Sequence, residues 1–343
     1  MSATTSIEWT DKTWNPVRGC SVISPGCVNC YAMKLAHRFS GPGKPYEGLT
    51  KLTKAGPQWT GQIRLVEEAL AEPLRWRKPA RIFVNSMSDL FHEGVPDEFI
   101  ASVFGVMAAS PWHTFQVLTK RPARMRNWFR WIEESAVSKG GAANAARGVR
   151  WHLWHHIDDL RVHDPRQPWI WPLPNVWLGV SVENQQQADA RIPLLLETPA
   201  AVRWISAEPL LERVELGPPT DDSFRLLWPF YYTGTFNAEA ADHAPPCPER
   251  RRNLFPNVNW VVVGGESGPG ARPFELAWAR DLIAQCHATQ TPVFVKQLGA
   301  RPRTGQPNVV QDFSPFRDRK GGDLTEWPED LRVREFPRFL VPA

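Results

Sequence analysis

The chain has 343 residues, enough for one large domain or two smaller ones with a sizeable core. Its hydrophobic content of 42% is ordinary for a globular protein, and no run of 18 apolar residues predicts a membrane-spanning helix. The formal net charge of +4 permits a nucleic-acid partner without requiring one.

The N-terminus has no basic region followed by an apolar one, so no secretory signal is predicted. The five cysteines are an odd number, which argues against a framework of disulfides. We therefore expect a cytoplasmic protein with reduced thiols and no membrane association.

Short apolar runs rich in β-branched residues recur along the chain and alternate with segments of helical periodicity. Because these runs are continuously apolar, they predict strands buried on both faces, as in a parallel sheet. The predicted strands are residues 81–85, 115–119, 176–181, 202–206, 260–264 and 293–296, preceded by a strand near residues 15–18. The predicted helices are residues 63–76, 97–109, 123–134, 184–196 and 275–287.

Strand and helix alternating six or seven times are typical of a (βα) barrel. We therefore predict an α/β fold, a TIM-like (βα)6–7 full or partial barrel over residues 1–299. Residues 135–173 and 215–257 are longer than a βα loop needs, and we interpret them as two insertions. Residues 300–343 are predicted to form an irregular C-terminal extension that packs through Phe313, Phe316 and Trp327.

Three cysteines, Cys20, Cys27 and Cys30, lie within eleven residues, in a Ser/Pro/Gly-rich loop that leads into a helical segment. Three thiolates on one loop can hold three irons of a [4Fe–4S] cluster and leave the fourth iron open to another ligand. The alternative is a structural zinc site with His37 as a fourth ligand, although structural zinc often uses two closely spaced cysteine pairs. Cys286 lies within a helical pattern and is expected in the core.

Polar or charged residues stand at or just after the end of each main predicted strand. Because a barrel gathers the C-terminal ends of its strands on one face, where active sites lie, we predict that these residues share a site with the cysteine loop. The alternative is that strands simply end in exposed, polar loops. The residues are Asp89, Lys120, Glu183, Glu208, Glu266, Lys296 and Gln297.

Residues 118–131 interleave basic side chains with Trp and Phe, a pattern that suits phosphate contacts and base stacking. A helix with a solvated basic face and a buried aromatic face explains the pattern equally well. The basic residues are Lys120, Arg121, Arg124, Arg126 and Arg130.

The segments WNPVRGC and CVNCYA resemble the cluster loop of radical S-adenosylmethionine (SAM) enzymes, especially the branch related to spore photoproduct lyase. In those enzymes the usual spacing is C-x3-C-x2-C, whereas six residues separate the first two cysteines here. From about residue 8 to 299 the chain also resembles an uncharacterised family associated with phages and bacteria. The blocks that carry this second resemblance are FVNSMSDLF, VLTKRP, LGVSVEN, SAEPLL and GGESGPGARP.

The radical SAM resemblance implies a barrel of that type, a [4Fe–4S] cluster on the three cysteines, SAM as a second cofactor and an external electron donor. Reductive cleavage of SAM would give a 5′-deoxyadenosyl radical that acts on an unknown substrate. A nucleic acid or nucleotide is the first candidate, contacted through the basic residues of the segment 118–131.

The same resemblance implies roles for the polar residues at the strand ends. Candidates for binding SAM are Asn85, Ser86, Asp89, Lys120, Ser181, Glu183 and Asn184, with Lys120 pairing the SAM carboxylate. Candidates for orienting the substrate are Glu208 and Glu266, with Arg272 available to an anionic group. Two other functions remain open: a zinc-stabilised nucleic-acid-binding protein without catalysis, and a barrel hydrolase that uses Asp89, Glu183 and Glu208.

Overall fold

The computed structural model describes residues 5–137, 171–216, 258–304 and 316–337. The chain divides into two compact units. The first comprises Met1–Ser181 and Thr198–Ser206, and the second comprises Val182–Glu197 and Ala207–Ala343. Most of both predicted insertions, and Phe313, lie outside the described residues.

The strands of the first unit are β1 (Lys12–Trp14), β2 (Val17–Arg18), β3 (Thr50–Thr53), β4 (Gly56–Trp59), β5 (Arg64–Leu65), β6 (Arg81–Val84), β7 (Thr114–Thr119), β8 (Val176–Ser181) and β9 (Val202–Ala207). Its helices are α1 (Tyr31–Arg38), α2 (Glu67–Leu70), α3 (Asp97–Ala108) and α4 (Pro122–Val137).

A parallel sheet forms the centre of the first unit. Its strands follow the order β1-β6-β7-β8-β9, and each is hydrogen-bonded to the next in parallel. All six residues of β8 are buried, as expected for a strand covered on both faces. The continuous apolar runs therefore predicted the strands of this sheet correctly, apart from β1, which ends at Trp14. The additional strand predicted near residues 15–18 corresponds to β2, which belongs to a separate two-stranded sheet.

The predicted helix over residues 63–76 is wrong. Arg64 and Leu65 form β5, which pairs antiparallel with β2, and only Glu67–Leu70 is α-helical. Pro73 then begins a short 3-10 turn, because proline cannot donate the hydrogen bond that an α-helix interior requires. The antiparallel hairpin of β3 and β4 was not predicted at all, since Lys51 and Leu52 are exposed and its sequence is not apolar.

The second unit contains α5 (Gln185–Leu196), β10 (Trp260–Gly264), β11 (Phe274–Glu275), α6 (Leu276–Ala288), β12 (Val293–Gln297) and β13 (Pro302–Arg303). Strands β10 and β12 are parallel neighbours, and α6 connects them along the chain. Beyond β13 the described residues contain two short 3-10 helices, Leu324–Glu326 and Glu329–Leu331. Trp327 between them is buried and donates its indole N–H to the carbonyl of Gly321 at 3.0 Å.

The described residues thus have a mixed α/β fold in which parallel strands alternate with helices, which confirms the predicted fold class in its coarse form. This arrangement is compatible with a partial barrel. Among the described residues, no helix has both the length and the apolar character needed to cross a membrane.

Gly179 in the middle of β8 is a test of how tightly this sheet is packed. It lies opposite Trp204 of β9, and a Cβ atom at this position would fall inside the van der Waals envelope of the Trp204 ring. Because the ring is fully buried, it has no free space to move into. We expect Gly179→Ala to lower the free energy of unfolding by about 1–3 kcal/mol, measured by urea denaturation. Gly41→Ala is the matched control.

The new Cβ of Gly41→Ala would meet nothing closer than the Lys44 side chain at 3.9 Å. We expect that variant to stay within about 0.5 kcal/mol of the wild type. Equal unfolding midpoints for the two variants would contradict the packing described here.

Candidate functional site

The cysteine loop follows β2, and its path depends on Gly19. This residue has a φ of +89°, and a Cβ there would collide with the carbonyl oxygen of Gln62. Gly19 also forms a parallel bridge with Ser88, which lies just beyond the end of β6. The loop then makes a 3-10 turn that ends at Cys27, and Cys30 lies at the N-cap of α1. Glycine at position 19 therefore lets the chain bring the cysteines beside the end of β6.

All three cysteines line a common cavity of about 140 Å3 in the first unit. The cavity also exposes polar side chains from the ends of β6, β7 and β8. Of the seven strand-end residues predicted to share a site with the cysteine loop, Asp89 and Lys120 line this cavity, and the other five belong to the second unit. The predicted site residues that line it are Cys20, Cys27, Cys30, Asn85, Ser86, Asp89, Lys120, Arg121 and Ser181.

The thiols of Cys20 and Cys30 are buried away from solvent, which raises their pKa. Cys20 and Cys30 pack against an apolar cluster that includes Met33 and Trp59. Burial, together with the nearby carboxylate of Asp89, raises the pKa of Cys20 to about 12. Burial also raises the pKa of Cys30. A thiol with a raised pKa is a poor nucleophile near neutral pH, so this environment argues against nucleophilic catalysis by these two cysteines.

Asp89 joins the ends of two neighbouring strands through its buried carboxylate. Its Oδ1 accepts hydrogen bonds from the Thr119 hydroxyl at 2.8 Å and the Phe91 amide at 3.0 Å. Its Oδ2 accepts from the Lys120 amide at 3.1 Å and from Nη1 of Arg121 at 3.0 Å. The carboxylate therefore fixes the chain after β6 against the chain after β7.

Arg121 extends this network to the cysteine loop. The side chain is buried, and besides Asp89 its guanidinium donates to both carboxylate oxygens of Glu93 and to the Ser21 hydroxyl at 2.6 Å. Its Nη1 also lies 3.9 Å from Sγ of Cys20, within the range of a hydrogen bond to sulfur. A fixed positive charge thus stands next to a cysteine of the cavity, where it favours the thiolate over the thiol.

Lys120 and Asn85 offer donors on the wall of the cavity. The Lys120 ammonium donates to the Ser181 hydroxyl at 2.9 Å. Asn85 follows β6 in the left-handed region, with φ of 59°, a conformation that Asn tolerates better than most residues. Its Oδ1 accepts from the Val17 amide at 3.3 Å, whereas its buried Nδ2 has no hydrogen-bond partner among the described residues. A buried donor without a partner costs about 1–3 kcal/mol, so Asn85 is suited to a bound acceptor.

Glu183 and Asn184 belong to the second unit and have structural partners there. Glu183 is fully buried and pairs with Arg191 of α5 at 2.9 Å. Asn184 is the N-cap of α5, and its side chain accepts from the Gln187 amide at 3.0 Å. The Asn184 contact caps the start of this helix, and the predicted contact of either residue with SAM stays a prediction.

The predicted substrate-orienting carboxylates also lie in the second unit as ion pairs. Glu208 accepts from the Lys296 ammonium at 2.5 Å and from Nε2 of Gln297 at 3.2 Å. Glu266 is buried and pairs with the guanidinium and the backbone amide of Arg272. Their role toward a substrate stays a prediction.

The basic and aromatic segment forms the start of α4, with its aromatic face in the core. Trp128 and Phe129 are buried, so they are not available to stack on nucleic-acid bases. Arg121 is buried in the site described above, and Arg124 pairs with Asp97 at 2.6 Å. These observations favour the alternative of a helix with a buried aromatic face, and nucleic-acid contact through the segment stays a prediction.

The zinc alternative assigned His37 as a fourth ligand. In the structure, Nδ1 of His37 shares hydrogen bonds with the hydroxyls of Thr50 and Ser40, and His37 is not among the residues that line the cavity. Within the part of the chain that the structure describes, no group of three or more His, Cys, Asp or Glu side chains is spaced to hold a metal ion. Metal binding by the three cysteines therefore stays a prediction. Cys286 is buried in α6, as expected.

Sequence reasoning missed the residues that complete the cavity. Ser21 and Thr119 bind Arg121 and Asp89, and a hydroxyl next to a cysteine or at a strand end carries no distinctive signal. Trp59 lines the cavity from the unpredicted hairpin. Tyr31 also lines it and donates its hydroxyl to the Ser86 carbonyl at 2.7 Å, and its position directly after Cys30 was the available signal.

A family model described as a protein of unknown function (DUF5131) matches residues 4–322. Since the match spans well over half of the chain, the protein belongs to this family. A search of curated proteins and a search of solved structures each returned no significant match.

Arg121 is the residue on which the integrity of this site depends most directly. Its removal would leave the Asp89 carboxylate buried without its cation, so we expect Arg121→Gln to lower the free energy of unfolding by about 3–5 kcal/mol. The control is Arg81→Gln, which breaks the half-exposed pair of Arg81 with Asp11 and should cost about 1 kcal/mol or less. Both are measured by urea denaturation, and similar costs for the two variants would contradict the buried network.

Proposed function

We propose that this protein is an iron–sulfur enzyme of radical SAM type, with a partial barrel of that type, in which Cys20, Cys27 and Cys30 bind one [4Fe–4S] cluster. The observation that carries the proposal is that these three thiols line a common cavity together with donors from the ends of successive parallel strands. Parallel α/β folds place their active sites at this end of the strands.

The donor set supports a cluster better than a single zinc ion. Around one zinc ion, ligands at about 2.3 Å lie within about 4 Å of each other and are usually four in number. In a cluster each thiolate binds a different iron, so three donors can surround a larger space and leave one iron without a protein ligand. When bound, the cluster would supply the electron that cleaves SAM to methionine and a 5′-deoxyadenosyl radical.

The residues around the cavity have separate tasks in this proposal. Lys120 pairs with the SAM carboxylate, and Nδ2 of Asn85 donates to an acceptor of the same molecule. Arg121 holds the loop at Cys20 against Asp89 and offsets the negative charge of the thiolate. The apolar side chain of Met87 and the indole of Trp59 form part of the wall and limit the access of water. The substrate class proposed first is a nucleic acid or nucleotide.

The ligand role of the cysteines is tested by anaerobic reconstitution with iron and sulfide. We expect the wild type to hold about four irons and four sulfides per chain, with thiolate-to-iron absorbance in the visible range. Cys27→Ala should lose most of this iron, because it removes a thiolate ligand. Cys286→Ala is the matched control and should retain it, since Cys286 is buried in α6 of the second unit.

The same reconstituted protein tests the reaction. After reduction with dithionite in the presence of SAM, we expect 5′-deoxyadenosine, detected by liquid chromatography and mass spectrometry. A colourless protein that holds one zinc ion per chain would instead support the zinc-stabilised alternative. A cluster that forms without any 5′-deoxyadenosine would contradict the radical chemistry while leaving the cluster site intact.

The proposed contact of Lys120 with the SAM carboxylate is tested by measuring the affinity of variants for SAM. A charge-assisted hydrogen bond contributes about 1.5–3 kcal/mol, so we expect Lys120→Ala to raise the Kd for SAM about tenfold or more in isothermal titration calorimetry. Lys78→Ala removes an exposed lysine that does not line the cavity and should leave the Kd unchanged. An unchanged Kd for Lys120→Ala would contradict the assigned carboxylate contact.

A further inference from the structure

Exposed apolar side chains are concentrated beside the cysteine cavity. Among the described residues, all but one of the exposed large hydrophobic side chains lie between positions 22 and 52, and the exception is Trp112. We call this group the apolar patch; its members are Val22, Ile23, Val28, Tyr31, Leu35, Phe39 and Leu52. Scattered exposed hydrophobic residues are normal in proteins, but a concentrated group marks an interaction surface.

The patch spans three adjoining segments of the first unit. Val28 lies in the cysteine loop itself and is 60% exposed. Tyr31 and Leu35 of α1 and Phe39 at its C-cap follow a spacing of four residues, so they lie along one side of the helix. The opposite face of α1 packs into the core through Met33. The β3–β4 hairpin packs against α1 and carries Leu52, which is 72% exposed.

The sequence segment that carries the patch is strongly basic. Residues 16–56 contain six Lys and Arg side chains and one carboxylate, that of Glu47, which gives a net charge of +5. Since the whole chain has a net charge of +4, the other residues together have a net charge of −1. The exposed cations next to the apolar residues in the sequence include Arg38, Lys51 and Lys54. An apolar centre with a basic rim is complementary to a partner with an apolar centre and an acidic rim.

We propose that the apolar patch is the docking surface for an acidic one-electron carrier protein. This inference rests on the proposed function, since reductive cleavage of SAM requires an electron from outside the chain. On binding, the reduced carrier loses one electron and is oxidised, and the cluster gains that electron and is reduced. Tyr31 belongs both to the patch and to the wall of the cavity, so the docked carrier would stand next to the cysteines.

The composition of the patch favours a protein partner over a nucleic acid. Surfaces that bind nucleic acid are mostly polar and use aromatic side chains for stacking. Here five of the seven exposed side chains are aliphatic, which suits the apolar centre of a small and transient protein interface. The basic rim would speed the encounter with an acidic carrier at low salt.

The test uses the full chain, anaerobically reconstituted, with an acidic [2Fe–2S] ferredoxin as the probe. We compare the triple variant Arg38→Glu, Lys51→Glu, Lys54→Glu with the triple variant Arg75→Glu, Arg77→Glu, Lys78→Glu. All six side chains are exposed and both variants change the net charge equally, but the second set lies between α2 and β6, outside the patch. We expect the first variant to raise the Kd for ferredoxin about tenfold or more in low salt, and the second to change it less than about threefold.

An apolar variant separates docking from general electrostatics. Leu35→Gln with Leu52→Gln keeps the net charge, and it should weaken binding of ferredoxin at both low and high salt. In stopped-flow absorbance, the charge and apolar variants should slow reduction of the cluster by reduced ferredoxin, while reduction by dithionite stays at the wild-type rate.

The results that would overturn the docking surface differ from the result that would overturn the proposed function. Equal affinity of the two charge variants for ferredoxin, on protein that holds its cluster, would overturn the docking surface and leave the proposed function standing. Binding of a single-stranded oligonucleotide or of anionic phospholipid vesicles through Arg38, Lys51 and Lys54, with no binding of ferredoxin, would also overturn it. Reconstituted protein without iron and sulfide would overturn the proposed function and this inference together.

Discussion

The buried contact between Arg121 and Asp89 is the interaction on which the candidate site depends. Asp89 lies after β6 and Arg121 lies after β7, so their pairing fixes the ends of neighbouring strands relative to each other. The same guanidinium reaches Ser21, which anchors the cysteine loop. A buried ion pair rarely adds net stability over an apolar pair, because both charges lose their hydration. The pair is therefore better explained by the strand ends that it positions than by a gain in stability.

The position matters because this network holds the inner side of the loop. Val22 and Ile23 are exposed, so the loop does not bury these side chains to stay in place. Polar bonds at Ser21 and the apolar contacts of Cys20 and Cys30 hold it from the inner side instead. A loop that is fixed on its inner face and apolar on its outer face can present thiols to a cavity and, at the same time, the proposed docking surface to solvent.

The sequence predicted most of the parallel strands because burial on both faces leaves an apolar run that can be read without tertiary information. It failed at residues 63–76, where Leu65, Ala69 and Leu70 imitate helical spacing although Arg64 and Leu65 pair with β2. It failed again at β3 and β4, because a half-exposed hairpin has no apolar run to reveal it. Both errors concern local pairing that only the folded chain can specify.

For the candidate site too, the sequence predicted only part of what the structure shows, namely which residues come together. The grouping of Cys20, Lys120 and Asn85 follows from the rule that parallel strands end on one face. The partners of each side chain do not follow from any such rule. Arg121 illustrates the difference: its sequence neighbours suggested contact with phosphate, whereas burial gives it two carboxylates and a hydroxyl as partners.

The environment of the thiols also limits which chemistry suits them. Burial makes a free thiolate unfavourable at Cys20 and Cys30, so a nucleophilic role would require the protein to stabilise charge that this environment resists. Iron bound there, as proposed, would remove that conflict, because the metal supplies positive charge and displaces the thiol proton. Arg121 contributes in the same direction at Cys20 alone. The burial that disfavours these cysteines as nucleophiles is thus compatible with their service as ligands.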